Sequence, residues 1–348
     1  MRSLPDAPSR PLRSSLAGWL AIGLACACSP GVQQTPGNPS GSLELREGSL
    51  ILTTVTMLAD VAEQVAGPVG LEVRSLMGPG IDPHLFRAGR EEVQALLDAP
   101  VVVALGLHLE AQLLPALERT AATGTSLWLG ENWLDASALI STTESGGSHD
   151  PHVWMDPSLW AHVVRGFAGE LAASFPESRE AEREAVLARG EQLVDELERV
   201  DAWAAETLGT IPAPKRLLVT SHDAFGYLGR RYGLEVRGLQ GLSTESEAGL
   251  QRVVELVDLL VEREVPALFG ESTVSTQGLR ALIEGAAARG HQVQLAGQLY
   301  SDATGPAGSG ADTVIGMFRH NVETITLALG GTASHWSEQD LQQSPERL

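Results

Sequence analysis

The sequence contains very little cysteine and almost no lysine. Of its 348 residues only Cys26 and Cys28 are cysteines, and they lie one residue apart in an apolar N-terminal stretch. They cannot cross-link the globular part or supply its ligands, so any metal site must be built from nitrogen and oxygen. Lys215 is the only lysine, and 24 Lys+Arg against 44 Asp+Glu give a net charge of −20. A nucleic-acid partner recognised through a basic surface is therefore not expected.

The common catalytic signatures are also missing. The sequence has no G-x-x-x-x-G-K, no H-E-x-x-H and no G-x-S-x-G, and no G-x-G-x-x-G stands at a predicted strand-to-helix turn. A composition of 43% hydrophobic and 20% charged residues is typical of globular proteins, and the length suffices for two domains with cores of their own. The chemistry must therefore be sought among isolated histidines and acids.

The N-terminus has the pattern of an export signal. Three arginines precede the apolar run Leu16–Ala27, which has the length of a signal-peptide core and is short for a membrane span. The small residues before Cys28 resemble the lipobox of bacterial lipoproteins, which predicts a signal peptide over 1–27 and lipidation of Cys28, with Cys26 as the alternative. An ordinary secretory signal is the other interpretation. Residues 28–47, rich in Pro, Gly and Ser, predict a flexible tether to the membrane.

The rest of the chain alternates β-branched runs with amphipathic stretches, which predicts an α/β fold. The predicted organisation is an N-terminal lobe over 48–175, a linking helix over 176–209, a similar C-terminal lobe over 210–335 and a tail over 336–348. The predicted strands are Ile51–Val55, Leu71–Leu76, Val101–Leu105, Arg216–Thr220, Leu234–Arg237, Ala267–Gly270 and Val293–Ala296. The predicted helices include Leu58–Ala66, Arg90–Leu97, Leu109–Arg119, Glu247–Arg263, Thr276–Arg289 and Asp312–Leu329.

The pattern of the linking segment predicts one long helix. Within it the helical pattern extends from Pro176 to Leu208, and Gly209 follows directly, as helix punctuation predicts. An apolar stripe marks the face that we expect to pack on both lobes, and it comprises Val186, Leu187, Leu193, Val194, Leu197, Val200 and Ala204. A stiff connector of this kind limits how far the lobes can hinge.

Three histidines and one aspartate lie in short polar segments at predicted strand-to-helix junctions. They are His84, His152, His222 and Asp302, two from each lobe. In α/β sheets these junctions line the ligand crevice. Three imidazoles and a carboxylate suit Zn²⁺, or Mn²⁺ if the carboxylate binds through both oxygens. Alternatively, the Asp-Pro before His84 and before His152 reflects turn chemistry alone, while Asp156-Pro157 predicts a helix start capped by Asp156.

The motifs around these residues resemble a known family, from about Leu50 to Gly330. The chain is similar to the zinc and manganese solute-binding proteins of bacterial ABC transporters, the helical-backbone metal receptors. The resemblance rests on Gly-Ile-Asp-Pro-His84-Leu-Phe, Asp-Pro-His152-Val-Trp-Met-Asp-Pro, Ser-His222-Asp-Ala-Phe-Gly-Tyr, Gly241-Leu-Ser-Thr-Glu-Ser-Glu, Phe269-Gly-Glu-Ser, Leu-Tyr-Ser-Asp302 and Ile315-Gly-Met-Phe-Arg-His-Asn. It implies two lobes joined by a backbone helix, with one metal held between them by residues that align with His84, His152, His222 and Asp302.

The resemblance also bears on the metal. Family members devoted to manganese tend to have Glu at the position of His222, and an extra imidazole favours zinc. The loop Asp135–Gly147, however, is short and lacks the His-rich run of many zinc-specific relatives. We therefore expect zinc as the preferred ion, with manganese possible. Glu245 and Glu271 are candidates for orienting the imidazoles. His149 is expected to be an exposed loop residue, with a transient metal contact as the alternative.

The predicted function is a membrane-tethered, exported receptor that captures Zn²⁺ or Mn²⁺ and delivers it to an ABC permease. It is expected to be a monomer without enzymatic activity, in the periplasm or on the outer face of the cytoplasmic membrane. Release is predicted to need a lobe or loop shift that separates His84 and His152 from His222 and Asp302. The alternatives are a secreted zinc hydrolase, with Asp302 or Glu271 as general base, and an adhesin or receptor in which the metal is structural.

Overall fold

The computed structural model describes residues 45–122, 126–141, 149–333 and Trp336. The predicted signal peptide, Cys26, Cys28, most of the predicted tether and the chain after Trp336 lie outside these residues. Within the described ranges, no helix is both long enough and apolar enough to pass through a membrane.

The first four strands form a parallel sheet in the N-terminal lobe. Their order is β2-β1-β3-β4, with Leu50 opposite Glu72 and Ile51 opposite Val101. All residues of β3 are buried, as expected for a central strand covered on both faces. The strands are β1 Leu50–Thr53, β2 Glu72–Ser75, β3 Val101–Ala104 and β4 Ser126–Trp128. The sequence predicts the first three and misses β4.

The second sheet repeats this arrangement in the C-terminal lobe. It is parallel, with the order β6-β5-β7-β8. Its strands are β5 Leu217–Thr220, β6 Glu235–Gly238, β7 Ala267–Glu271 and β8 Gln294–Leu299. Both sheets share one topology, so the predicted fold of two similar α/β lobes is confirmed.

Ten α-helices accompany these strands in the described residues. They are α1 Thr56–Ala66, α2 Arg90–Asp98, α3 Leu114–Ala122, α4 Leu129–Trp133, α5 Pro157–Ala173, α6 Glu180–Gly209, α7 Gly226–Tyr232, α8 Leu250–Glu262, α9 Gln277–Ala288 and α10 Val314–Ala328. The helix start predicted at Asp156-Pro157 is confirmed, because the Asp156 carboxylate accepts a hydrogen bond from the Ser158 N–H at 3.0 Å.

The predicted start of α3 is wrong. The sequence predicts a helix from Leu109, whereas α3 begins at Leu114. The backbone of Leu107 and His108 lies in the left-handed region, with φ of 53° and 66°. A short 3-10 turn, Ala111–Leu113, follows before α3 begins. Left-handed residues cannot continue a right-handed helix, so the α-helix starts later.

Helix α6 connects the lobes. It follows a 3-10 turn at Glu177–Arg179, and its 30 residues extend over roughly 45 Å at the usual helical rise. It packs against α5, α10 and α1. Six of the seven residues of the predicted apolar stripe are buried; Leu187 is the exception, because its side chain lies 46% exposed on the outer face.

The lobes share their main hydrophobic core. One continuous cluster of buried side chains includes Leu52 in the N-terminal sheet, Val194 in α6, and Phe225 and Phe269 in the C-terminal lobe. A smaller cluster lies between the C-terminal sheet and helices α8 and α9. Because the larger cluster crosses the boundary between the lobes, any wide separation of the lobes exposes apolar surface.

Hydrogen bonds also join the lobes beside strand β8. The Trp154 indole donates to the Ser301 carbonyl at 2.7 Å, and the Thr304 N–H donates to the Thr56 hydroxyl at 2.8 Å. The segment after β8 therefore lies against the N-terminal lobe although its strand belongs to the other sheet.

Candidate metal centre

Two of the predicted site residues, His84 and His152, are each positioned by a turn of the same type. In Asp82-Pro83-His84 the Asp82 carboxylate accepts a hydrogen bond from the His84 N–H, and in Asp150-Pro151-His152 the Asp150 carboxylate accepts one from the His152 N–H, both at 2.9 Å. These are Asx turns, so the Asp-Pro pair forms a turn in both motifs. The turns direct two imidazoles of the N-terminal lobe towards the C-terminal lobe. His152 follows an isolated bridge between Ser141 and His149 and not a ladder strand, contrary to the predicted junction.

His222 follows strand β5 in the C-terminal lobe. Its N–H donates to the Glu271 carboxylate at 2.8 Å, and its carbonyl accepts from the Thr220 hydroxyl at 2.7 Å. Strand β6 passes so close that a Cβ at Gly238 would lie 2.6 Å from the carbonyl carbon of His222. Only glycine allows this approach. Asp302 follows β8, in the segment that Trp154 and Thr56 hold against the N-terminal lobe.

The fold brings all four predicted site residues together. One donor atom from each of His84, His152, His222 and Asp302 lies within 4.8 Å of the others, and we call this group the His₃Asp cluster. The Nε2 atoms of His152 and His222 are 3.3 Å apart, and they lie 3.3 and 3.2 Å from the two Asp302 oxygens. His84 Nε2 stands further back, 4.0 Å from Asp302.

These separations match the size of a tetrahedral zinc site. Bonds of about 2.0–2.1 Å in a tetrahedron place neighbouring donor atoms roughly 3.3 Å apart. The three distances that join His152, His222 and the two Asp302 oxygens are close to this value, and His84 Nε2 lies further from Asp302. The Nε2 atom of His84 is buried without a hydrogen-bond partner among the described residues. Such an orphaned donor atom is expected where a cation is to be bound.

The acids around the cluster change its protonation. Burial lowers the pKa of His84 to about 3. Burial also opposes a charge on His152, but Asp150 and Asp302 outweigh it and raise the pKa of His152 to about 9. Glu271 and Asp302 likewise overcome burial and raise the pKa of His222 well above its usual value. The two imidazolium groups in turn outweigh the burial of Asp302 and hold its pKa well below its usual value. In the absence of a metal, the neighbouring acids therefore favour protonation of His152 and His222, so protons compete with a cation for these two nitrogens.

Two carboxylates contact the imidazoles from behind. Glu271 Oε2 lies 2.5 Å from His222 Nδ1, and Asp150 Oδ1 lies 2.7 Å from His152 Nδ1. Each leaves the Nε2 atom free to face the cluster, which is the usual way in which acids orient metal-binding histidines. Sequence reasoning singles out Glu271 but misses Asp150, whose only signal is its place two residues before His152.

The structure gives Glu245 a hydrogen-bond partner other than a cluster imidazole. Its exposed carboxylate accepts a hydrogen bond from the Gln112 amide of the opposite lobe. Glu245 instead lines a cavity beside His84, together with His108 and the half-buried His149. Of the other histidines, His162 and His320 bond the carbonyls of Ser158 and Gln298, and His291 bonds that of Val265. His335 lies outside the described residues.

Comparison with known proteins identifies the family. The profile of the family described as zinc-uptake complex component A, periplasmic (ZnuA), matches residues 51–328. The chain belongs to this family. The resemblance drawn from the sequence motifs is thereby confirmed.

Relatives of the ZnuA-family chain are similar along most of their length. The manganese-binding lipoprotein MntA of Bacillus subtilis (strain 168) is 41% identical over 279 residues, which cover 80% of this chain and 89% of MntA. The structure of the periplasmic zinc-binding protein TroA from Treponema pallidum matches with a TM-score of 0.76 at 36% identity, over 81% of this chain and 99% of TroA. Fe(III)-bound YtgA from Chlamydia trachomatis matches with a TM-score of 0.74 at 27% identity, over 83% of this chain and 100% of YtgA.

Proposed function

We propose that this protein is an exported receptor that captures Zn²⁺ or Mn²⁺ and delivers it to the permease of an ABC transporter. The observation that carries the proposal is the buried His₃Asp cluster between the lobes of a ZnuA-family fold. All four donor side chains are almost fully buried, so a cation held there is removed from water on every side. The metal is cargo, and His84, His152, His222 and Asp302 are its proposed ligands, one ion per chain.

Zinc is the preferred cargo in this proposal. Three imidazoles suit zinc better than manganese, whereas the two Asp302 oxygens make a manganese site accessible. The relatives' names include manganese, zinc and Fe(III), so membership of the family does not fix the ion. The donor set of this chain is therefore the argument for zinc.

Binding without catalysis is favoured by the number of protein donors. A zinc hydrolase keeps one coordination position for water, and here a fourth protein side chain stands in that position. Asp302 lies too close to the imidazoles, at 3.2–3.3 Å from two of them, to serve as a base acting across a bound water. We therefore propose a receptor and not an enzyme.

Anchoring is proposed from the N-terminal sequence. Cys28, or alternatively Cys26, would carry the lipid, and residues 28–47 would tether the monomeric receptor at the outer face of the membrane beside its permease. MntA of Bacillus subtilis is named a lipoprotein, which supports this location.

Metal removal tests the proposal directly. After chelation, the full chain offered equal amounts of Zn²⁺ and Mn²⁺ is expected to bind one ion, mainly zinc, by native mass spectrometry. Its circular dichroism is expected to be the same with and without metal, because the core that spans both lobes holds the fold. A chain that takes up no ion contradicts the proposal. A chain that unfolds on chelation supports a structural metal instead.

Metal affinity is expected to rise with pH from about 6.5 towards 9. Although burial opposes it, contact with Asp150 and Asp302 holds the pKa of His152 at about 9, and the pKa of His222 is raised in the same direction. Both nitrogens must lose a proton before they bind a cation, so competition weakens as pH rises through these values. Calorimetric titrations in buffers of different ionisation enthalpy measure the protons released per ion. Release that does not decrease between pH 7 and pH 9 would contradict this assignment.

A further inference from the structure

A second group of histidine and acidic side chains lies on the surface side of the His₃Asp cluster. A cavity of about 240 Å³, which we call the outer cavity, lies between the lobes against His84. The N-terminal lobe contributes His108 and His149 to its lining, and the C-terminal lobe contributes Glu245. These side chains supply two imidazoles and a carboxylate, the donor types that bind zinc and manganese.

The outer cavity reaches the cluster at a single point. Of the four cluster side chains, His84 alone lines it, and His84 is 3% exposed compared with 0% for His152, 0% for His222 and 1% for Asp302. The buried His84 Nε2 has no hydrogen-bond partner among the described residues and stands 4.0 Å from Asp302. His84 therefore separates the outer cavity from the three closely spaced donors behind it.

The chain builds an unusual turn to place His108 there. Gly106, Leu107 and His108 all have positive φ. Non-glycine residues rarely adopt this conformation. Two acids hold the turn: Glu110 accepts from the Leu105 and Gly106 N–H groups at 2.9 and 3.1 Å, and Glu131 accepts from the Leu107 N–H at 3.0 Å. His108, at the end of this turn, is exposed and lines the outer cavity.

Glu245 and His149 also line the outer cavity. The Glu245 carboxylate is bonded to Gln112 across the boundary between the lobes, so it is held over the N-terminal lobe. His149 stands three residues before His152, and its Nδ1 lies 3.4 Å from the Ser141 hydroxyl. Donors from both lobes thus face one cavity whose inner wall is a proposed metal ligand.

We propose that His108, His149 and Glu245 form an outer site that takes a hydrated Zn²⁺ or Mn²⁺ from solution and passes it to His84. The inference rests on the proposed function and adds the route by which the ion arrives. A bare divalent ion is costly to bury. Donors met in succession replace its water molecules in steps, so that no stage of the transfer leaves the ion without ligands.

The rates of zinc binding test this route. In the full-length metal-free chain, His108→Gln combined with His149→Gln is expected to slow both association and dissociation of Zn²⁺ by roughly tenfold, within the range of rate effects from local charge and concentration. The equilibrium affinity is expected to stay the same, because a transient site changes the path and not its end points. Stopped-flow tryptophan fluorescence follows the reaction, since the Trp154 ring lies 5.4 Å from the His152 ring.

His162→Gln is the matched control. His162 is exposed on α5 and bonds the Ser158 carbonyl in its own helix, so its loss is expected to leave both rates unchanged. Adding Glu245→Gln to the double variant is expected to slow binding further.

Wild-type rates of zinc binding in the double variant would contradict the proposed route through the outer site. Weaker affinity with an unchanged association rate also overturns it, because the two histidines would then be ligands of the final state. A wild-type chain that binds no Zn²⁺ overturns the proposed function itself.

Discussion

Asp302→Ala is expected to weaken manganese binding by more than about 100-fold, because loss of an acid that merely orients a ligand already costs 10–100-fold. The Asp302 carboxylate lies against His152 and His222 and is the only oxygen donor in the cluster. Its loss leaves three imidazoles, a set that still holds zinc with a water in the fourth position. We therefore expect a smaller loss for zinc than for manganese. Competition titrations with a chromophoric chelator measure both affinities.

His222→Glu is expected to shift the metal preference in the direction opposite to Asp302→Ala. It replaces an imidazole by a carboxylate, so the ratio of manganese to zinc affinity is expected to rise where Asp302→Ala lowers it. His162→Ala, on the exposed face of α5, is expected to change neither affinity. Equal losses of both metals in Asp302→Ala would show that Asp302 does not determine the choice of ion. Unchanged affinities in both site variants would remove the cluster as the binding site.

The sequence predicts the fold well where elements are long or strongly patterned. The apolar stripe of α6 and the β-branched runs of β1, β3 and β5 carry clear periodic signals. Strand β4 is missed because it has only three residues and ends in Trp128, at the start of α4. The start of α3 is misplaced because the left-handed turn at Leu107 and His108 depends on Glu131, more than twenty residues away. Local pattern contains no information about such a contact.

For the site, too, the sequence predicts what local pattern determines and misses what distant contacts determine. The four cluster residues share a recognisable place, each in a short polar segment before a helix, and two of them share the Asp-Pro-His turn. The acids that contact the imidazoles have no such common place in the sequence. Asp150 serves both as the turn residue and as the partner of His152 Nδ1, and only the first role is evident in sequence. Glu245 has the right chemistry, but the fold places it beside Gln112.

The structure favours a local movement for metal release. Separation of the lobes would break the hydrogen bonds Trp154–Ser301 and Thr304–Thr56 and that between Thr244 and Asp82, at 2.6–2.8 Å, each worth roughly 0.5–1.5 kcal/mol. It would also open the shared core. A shift of the turn that carries His84 breaks only the Thr244–Asp82 bond of these three. Of the two predicted movements, the loop shift is therefore the less costly.

Glu271→Gln is expected to weaken zinc binding by about 10–100-fold while leaving all four cluster side chains in place. Glu271 is buried at the end of β7, and its carboxylate contacts both the N–H and the Nδ1 of His222. The amide still accepts a hydrogen bond but carries no negative charge to stabilise the cation through the imidazole. The pKa of His222 is also expected to fall, because Glu271 is one of the two acids that raise it. Fewer protons should then be released per zinc ion bound at pH 7.

Proton release separates this positioning role from a purely structural one. If Glu271 only supports the loop, Glu271→Gln lowers thermal stability and affinity but leaves the number of released protons unchanged. Glu235→Gln is the matched control, because Glu235 lies on β6 of the same sheet and its partners are Arg237 and Arg263. That variant is expected to bind zinc with wild-type affinity and proton release. A Glu271→Gln variant that binds zinc as the wild type does would show that the charge behind His222 contributes nothing to capture.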